Sequence, residues 1–115
     1  MNGASGTREE EFKRHVLESD LPVLVDFFAP WCGPCRALAP ALEDIANAYA
    51  GRVNVVKVNV DNSPDLASKF NVSGVPTLKI FKAGQDVDTI IGLPPLSTLR
   101  RKLDAVAGVP PKNAV

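Results

Sequence analysis

The spacing of apolar residues changes several times along the chain, and each spacing predicts an element. Helical spacing predicts four helices, near residues 8–20, 34–50, 61–70 and 96–107. Residues 21–29 are apolar at almost every position and predict a strand buried on both faces, while alternating valines predict a second strand at 52–60. Residues 77–81 and 87–91 predict a hairpin across residues 82–86. This order predicts an α/β fold with a mixed sheet and helices on both faces.

Residues that favour helix ends mark where these helices begin and end. Thr7 stands where a side chain can cap the first helix, and Ser63 before Pro64 is typical of a capped start for the third. Gly108 is placed to end the last helix. Pro40 falls inside the second helix and predicts a kink there.

Length and charge narrow the class of protein. The 115 residues suffice for one domain with one core, and 13 Lys and Arg balance 13 Asp and Glu. This neutrality argues against nucleic acid as a partner, because such binding needs a basic excess or a basic face. The most apolar stretch, residues 21–31, is too short to cross a membrane and contains Asp26. We expect a flexible segment at 1–7, one domain at 8–108 and a disordered tail at 109–115.

The two cysteines, Cys32 and Cys35, leave three interpretations open at first. Residues 1–6 are polar and lack the pattern of a secretion signal, so we expect a cytoplasmic protein in a reducing compartment. A structural disulfide does not suit that compartment and would restrict the unfolded chain little. A zinc site needs four ligands, and His15 is the only strong candidate besides carboxylates. The third interpretation is a redox-active dithiol.

The neighbours of the cysteines favour the dithiol. Residues 31–35 lie between the predicted buried strand and the second helix, which places Cys32 at a helix N-terminus, where a thiolate is stabilised. Gly33 allows a partner chain to approach closely, and Pro34 fixes the first helical turn. Cys35 is expected to face inward. We therefore predict that Cys32 attacks a disulfide and that Cys35 resolves the product.

The segment Val23-Leu24-Val25-Asp26-Phe27-Phe28-Ala29-Pro30-Trp31-Cys32-Gly33-Pro34-Cys35 resembles the active-site segment of the thioredoxin family. Lys57, Val75-Pro76-Thr77 and Gly92 match the family's other marks, and the resemblance covers residues 8–107. It implies the thioredoxin fold, with a central mixed sheet of four to five strands flanked by helices on both faces. It also implies a protein-disulfide reductase without a bound cofactor, which receives electrons from NADPH through a thioredoxin reductase.

Asp26 is an unusual residue for the middle of an apolar strand. It is either a satisfied polar core residue or a functional group, and burial would raise its pKa towards neutrality. Six residues before Cys32, it could lie beneath the dithiol and accept the proton of Cys35. Lys57 on the neighbouring strand could moderate the Asp26 charge, although a lysine on a strand is usually just solvated.

A docking surface around Cys32 is expected from the same resemblance. Pro76 could be an ordinary proline at the start of a strand. The resemblance implies instead a cis bond after Val75, with the Val75 backbone free to pair with an extended peptide. An apolar patch with glycines would suit diverse disulfide-containing proteins. Val60 and Ile91 could instead be core residues, and Gly74 and Gly92 could serve only to form turns. The expected docking residues are Trp31, Gly33, Pro34, Val60, Gly74, Val75, Pro76, Ile91 and Gly92.

The chain departs from the family pattern in three places. The family usually opens with an apolar strand, which residues 1–6 do not show, so the strand at 52–60 could be an exposed edge that favours dimerisation. We nevertheless expect a monomer. Phe28 stands where the family most often has a second tryptophan, and the loop at 92–95 is stiffened by two prolines.

Two other functions stay open from the sequence alone. One is a thiol oxidase or isomerase of the same fold, and the other is a binding module that uses the apolar patch without its thiols. Gly33 and Pro34 between the cysteines resemble reductants more than oxidants.

Overall fold

A computed structural model describes residues 8–108 of the chain. The proposed cap Thr7, the segment 1–7 and the tail 109–115 lie outside the described residues. The elements follow the predicted order: α1 (Arg8–Phe12) continuing into a π-helical turn (Lys13–Leu17), β1 (Val23–Phe28), α2 (Gly33–Ala48), β2 (Asn54–Asn59), α3 (Pro64–Lys69), β3 (Thr77–Lys82), β4 (Gln85–Ile91) and α4 (Leu96–Ala107). Among these residues, no helix has the length and apolar character needed to cross a bilayer.

The described strands form one mixed sheet of four, in the order β2-β1-β3-β4. β1 runs parallel to β2 and antiparallel to β3, and β3 runs antiparallel to β4. The parallel register places Lys57 of β2 beside Asp26 of β1. The predicted mixed sheet is confirmed, and β2 lies at its edge within the part of the chain that is described. A strand before α1 would involve residues 1–7, which lie outside the described residues.

Each face of the sheet has its own hydrophobic core, because side chains alternate along a strand. One face packs against α2 and α4 through a cluster that includes Leu24, Leu78, Ile80, Leu38, Leu42, Ile45, Leu99 and Leu103. The other face packs against α1, the π-helical turn and α3 through Val23, Val25, Phe27, Phe81, Phe12, Val16 and Leu66. Helices on both faces confirm the predicted layers.

The β3–β4 hairpin is tighter than predicted. A two-residue turn, Ala83–Gly84, replaces the expected five-residue loop, since β3 extends to Lys82 and β4 begins at Gln85. Ala83 and Gly84 have φ of 52° and 79°, and positive values at both positions are typical of the type I′ turns that match strand twist. A Cβ at Gly84 would lie 2.9 Å from the Leu17 carbonyl oxygen. The turn therefore packs closely against the end of the π-helical turn.

Several predicted helix and strand ends also need correction. Ser63 occupies the N-cap position of α3, but its side chain makes no capping hydrogen bond; only its carbonyl accepts from the Ala67 N–H, at 3.2 Å. β1 and β2 are each shorter than predicted, spanning Val23–Phe28 and Asn54–Asn59. Pro22 and Val60, just outside these bounds, still make backbone hydrogen bonds across the pair, from the Asn54 N–H to the Pro22 carbonyl at 3.0 Å and from the Val60 N–H to the Phe28 carbonyl at 2.9 Å. α2 runs through Pro40 to Ala48, and a kink there stays a prediction. Gly108, with φ of 75°, ends α4 as expected.

Candidate active site

The site is built at the junction of β1 and α2. After β1 the chain turns, and the Cys32 N–H donates to the Ala29 carbonyl at 3.1 Å. Cys32 is the N-cap residue of α2, and its Sγ accepts a hydrogen bond of 3.2 Å from the Cys35 N–H. Pro34 lies in the first turn, where its missing N–H costs no hydrogen bond. The sulfur of Cys32 therefore lies at the positive end of the helix dipole, which favours a thiolate.

Cys32 and Cys35 form a disulfide across one helical turn, with their Cα atoms 5.2 Å apart. Each residue is only 4% exposed, and both pack with Ala29 against Phe28, Val60 and Val75. Within residues 8–108, no group of three or more His, Cys, Asp and Glu side chains is placed to hold a metal ion. The arrangement is that of a redox-active pair in its oxidised form.

Asp26 is a buried carboxylate without a partner. The residue is 1% exposed, and neither carboxylate oxygen has a hydrogen-bond partner among the described residues. Burial raises the pKa of Asp26 to about 6, while the positive charge of Lys57 acts in the opposite direction. The predicted direction of the shift is confirmed. Buried carboxylates in proteins are normally hydrogen-bonded, so this one is a candidate for a functional acid or base.

The strand face places Asp26 beneath the first turns of α2. Leu24 and Phe28 lie two residues to either side of it and therefore share its face. Leu24 packs in the same cluster as Leu38 of α2, whereas Phe28 packs against Cys35 and its bonded partner. Asp26 thus lies between a contact to the helix interior and a contact to the disulfide.

Lys57 is exposed and lies beside Asp26 in the parallel register of β1 and β2. Its Nζ is 4.7 Å from the centre of the Phe28 ring, a distance at which an ammonium is attracted to an aromatic face. The lysine therefore packs on an aromatic ring rather than pointing freely into solvent.

The residues expected to dock a partner meet at this end of the sheet. The peptide bond between Val75 and Pro76 is cis, as the resemblance implied. Gly92 donates its N–H to the Pro76 carbonyl at 2.9 Å, which brings the end of β4 to the same place. Ile91 is 79% exposed, so the alternative of a core residue is wrong for it, whereas Val60 is half-buried against the cysteines.

Exposure of the docking residues varies across the surface. Trp31 is 67% exposed, Gly33, Pro34 and Gly74 are also exposed, Val75 and Gly92 are half-buried, and Pro76 is buried. A groove of about 450 Å³ is lined by Trp31, Val60, Gly74 and Val75 together with residues of α3 and of the loop after it. Val60 and Val75, which line it, also pack against the cysteines.

Comparison with known proteins agrees with this geometry. The family model described as Thioredoxin matches residues 4–105. The chain belongs to the thioredoxin family. Over 104 residues it is 50% identical to Thioredoxin 1 of Nostoc sp. and 52% identical to Thioredoxin 1 of Synechococcus elongatus, covering 90% of this chain and 97% of each relative. It is 47% identical over 96 residues to Thioredoxin M-type, chloroplastic, of Chlamydomonas reinhardtii, covering 84% of this chain and 69% of that protein.

Membership of the thioredoxin family makes the chain a thiol–disulfide oxidoreductase, a protein-disulfide reductase that carries electrons in a cysteine pair. The disulfide between Cys32 and Cys35 fits the family's C-x-x-C active site. The four-stranded mixed sheet with flanking helices is consistent with the thioredoxin fold.

Sequence reasoning missed one residue beside this thioredoxin-family disulfide. The Trp31 Nε1–H donates to Asp61 Oδ2 at 3.0 Å, and the Asp61 N–H in turn donates to Asn59 Oδ1 at 2.9 Å. The sequence pattern predicts for Asp61 only a place at the start of a short helix. The available signal was the segment Asn59-Val60-Asp61-Asn62 at the end of β2, since Asn and Asp residues order turns through their side chains. Asp61 fixes the orientation of an indole that is otherwise mostly in solvent.

Proposed function

We propose that Cys32 is the attacking thiolate and that Cys35 resolves the mixed disulfide. The Cys32 thiolate attacks one sulfur of a substrate disulfide, whose bond breaks and releases the first substrate thiolate. Asp26 accepts the Cys35 proton, and the resulting thiolate attacks Cys32 Sγ. The second substrate thiolate leaves. The two electrons that the substrate gains come from the Cys32 and Cys35 sulfurs, which are oxidised to the disulfide between them.

The remaining residues would position the reactants. Lys57 would moderate the charge of Asp26, while Gly33 and Pro34 shape the first turn of α2. Trp31, Val60, Gly74, Val75, Pro76, Ile91 and Gly92 would bind an extended segment of the substrate beside Cys32. The half-buried Val75 and the two exposed apolar side chains at positions 31 and 91 support this role. An apolar surface without a preformed charge pattern suits many different disulfide-containing proteins.

The electron supply is the second part of the proposal. The oxidised protein would be reduced by a thioredoxin reductase with electrons from NADPH, and would bind no cofactor of its own. We place it in the cytoplasm as a monomer that serves electron transport and cell redox homeostasis. Membership of the thioredoxin family supports the proposed electron supply. A dithiol that reduces its substrates becomes a disulfide, and it must itself be reduced before it can act again.

One observation supports the mechanism most strongly. Asp26 is 1% exposed, and its carboxylate has no hydrogen-bond partner among the described residues. It lies on the same strand face as Phe28, whose side chain packs on the cysteines. Burial of such a group costs stability, so a purely structural role does not explain its position. Its raised pKa makes it an effective proton acceptor near neutral pH.

Turnover with NADPH, a thioredoxin reductase and insulin as the disulfide substrate tests the proposal. We expect NADPH consumption that depends on this protein and that disappears in both Cys32→Ser and Cys35→Ser. The two variants form a matched pair, because only Cys35→Ser, which keeps the attacking thiol, should accumulate a covalent mixed disulfide with the substrate. Accumulation in Cys32→Ser instead would exchange the two roles. A reduction potential of about −120 mV, typical of strong thiol oxidants, would contradict the reductant assignment.

A further inference from the structure

Three side chains share one face of the sheet beside the disulfide. Asp26 and Phe28 are two residues apart on β1, so they point to the same face. Lys57 is the register partner of Asp26 on the neighbouring strand and projects from the same face. Phe28 packs against the cluster that contains Cys32 and Cys35, and the Lys57 ammonium lies over its ring.

The Phe28 ring gives the Lys57 ammonium a defined position. An exposed lysine samples many side-chain conformations, which average its distance to any neighbouring charge. At 4.7 Å from the ring centre, Lys57 Nζ is within the range of a cation–π interaction. Because Phe28 is half-buried and packed against the disulfide, the ring itself has little freedom. The position of the ammonium is therefore coupled to the packing of the active site.

Lys57 is the charge that acts on Asp26. On β3, the register partner of Asp26 is the apolar Leu78, and α2 presents Cys35 and Leu38 to this face. Lys79, the charged residue next along β3, points to the opposite face and forms an ion pair of 2.7 Å with Asp86. The charged residues of α2, which are Arg36, Glu43 and Asp44, are exposed. The Lys57 charge opposes the effect of burial on the pKa of Asp26.

We propose that Phe28 is a positioning residue that holds the Lys57 ammonium beside Asp26 and so fixes how strongly this charge acts on the buried carboxylate. The functional meaning of the proposal rests on the role of Asp26 as proton acceptor. Without the ring, the ammonium would move into water, where its attraction to Asp26 is weaker and more screened. The carboxylate would then be harder to ionise, and the proton transfer from Cys35 would require a higher pH.

The direct test is an NMR titration of the Asp26 side-chain carboxyl carbon in the oxidised protein, from about pH 4 to about pH 9. In Phe28→Leu we expect the midpoint to rise by about half a pH unit, since the ring is lost while an apolar contact with the cysteines is kept. Phe28→Trp should keep the wild-type midpoint. Lys57→Met should raise the midpoint at least as much as Phe28→Leu.

The double variant Phe28→Leu with Lys57→Met separates the ring's action through Lys57 from any direct effect on Asp26. We expect its midpoint to equal that of Lys57→Met, because the ring acts only through the ammonium. If Phe28→Leu shifted the midpoint equally with and without Lys57, or lowered it by admitting water, the proposal would be wrong. An unchanged midpoint in Phe28→Leu would be equally decisive against it.

A second variant avoids any loss of packing. Replacing Phe28 by 3,4,5-trifluorophenylalanine keeps the ring shape but weakens the negative ring face, so we expect a smaller rise of the midpoint in the same direction. Lys69→Met is a matched control, because Lys69 Nζ lies 5.8 Å from the ring centre of Phe70 on the other side of the sheet. It removes the same charge from an aromatic face and should leave the Asp26 midpoint in place.

The pH dependence of mixed-disulfide resolution separates this proposal from the role of Asp26. We expect the profile of Phe28→Leu to shift by the same amount and in the same direction as the NMR midpoint. If the midpoint shifted but the rate profile did not, Phe28 would still position Lys57, whereas Asp26 would not be the proton acceptor.

Discussion

The two faces of the sheet differ in the side chains that they bury. The core under α1 and α3 is apolar and aromatic: Phe12, Phe70 and Phe81 have their ring centres within 5.2–5.7 Å of one another, two of the three pairs edge to face. Lys79, which is buried on the same face, is paired with Asp86 at 2.7 Å. The face under α2 and α4 has a core that is aliphatic apart from Tyr49, and it also contains Asp26 without a hydrogen-bond partner in the described part of the chain.

The difference separates stability from chemistry. Edge-to-face aromatic packing stabilises the fold, and its phenylalanine rings carry no group that can transfer a proton. The opposite face accepts a buried carboxylate that destabilises the folded state when it is ionised, and in the proposed mechanism this carboxylate exchanges a proton with the dithiol. Variants on the two faces should therefore have opposite consequences, and four of them test this division.

The largest effect is expected for Cys32→Ser. Because the hydroxyl is a far weaker nucleophile than a thiolate, disulfide reduction should fall on the order of a thousandfold or more. The free energy of unfolding of the reduced protein should change by less than about 1 kcal/mol, since the two side chains are nearly equal in size. Insulin reduction and denaturant unfolding in reducing buffer measure the two quantities. A large loss of stability would show that the cysteine also supports the fold.

Phe81→Ala should produce the opposite result on the aromatic face. Phe81 is 1% exposed and contacts two other rings, so its truncation should lower the free energy of unfolding by about 3–5 kcal/mol. Phe81→Leu, which refills most of the space, should cost clearly less. Disulfide reduction by the folded fraction should be unchanged in both. A specific loss of activity in the folded variant would end the proposed division between the faces.

Asp26→Ala should stabilise the protein and impair it at the same time. A carboxyl whose pKa is about 6 when folded and 3.8 when unfolded binds its proton more tightly in the folded state. The wild type therefore loses stability as the pH rises from about 4 to about 6, by up to about 3 kcal/mol.

Removal of the group should raise the free energy of unfolding by about 2 kcal/mol at pH 7, because the cavity offsets part of this gain. The advantage should fade on acidification and be gone by about pH 4. Urea unfolding at several pH values measures it, with Asp44→Ala on the exposed side of α2 as the control. An unchanged rate of mixed-disulfide resolution would remove Asp26 from the mechanism.

Gly84→Ala should have the smallest effect and belongs to the aromatic face, where Leu17 packs. The backbone at Gly84 has φ of 79°, and an added Cβ would meet the Leu17 carbonyl oxygen, so we expect a loss of about 1–2 kcal/mol. Gly51→Ala is the matched control, since φ there is 82° but nothing lies within 4 Å of the added Cβ. Equal losses in the two variants would show that backbone strain alone accounts for the effect.

The elements were predictable because most of them bury a regular apolar pattern. β1 is apolar at five of its six positions, and the helices repeat apolar residues at helical spacing, so each could be found without its neighbours. The hairpin was harder. Its turn-proximal residues Gln85 and Asp86 are polar and exposed, and nothing in their local pattern distinguishes the end of a strand from a loop.

The place of the cysteines in the fold, at the N-terminus of α2, was predictable from one short segment. The contacts between distant segments were not. The hydrogen bond from Trp31 to Asp61 joins residues 30 positions apart. The contact of Lys57 with Phe28 depends on the register of two strands, which no local pattern specifies. Burial of Asp26 was foreseen from its apolar neighbours, whereas its lack of a hydrogen-bond partner required the surrounding structure.

The hydrogen bond between Trp31 and Asp61 also makes the protein its own optical probe. Trp31 is the only tryptophan of the chain, so all indole fluorescence of the molecule originates next to Cys32. A substrate segment bound at the proposed docking surface would change the polarity around this ring directly, because the indole is mostly exposed. The arrival and departure of an unlabelled substrate could therefore be followed in real time by stopped-flow emission.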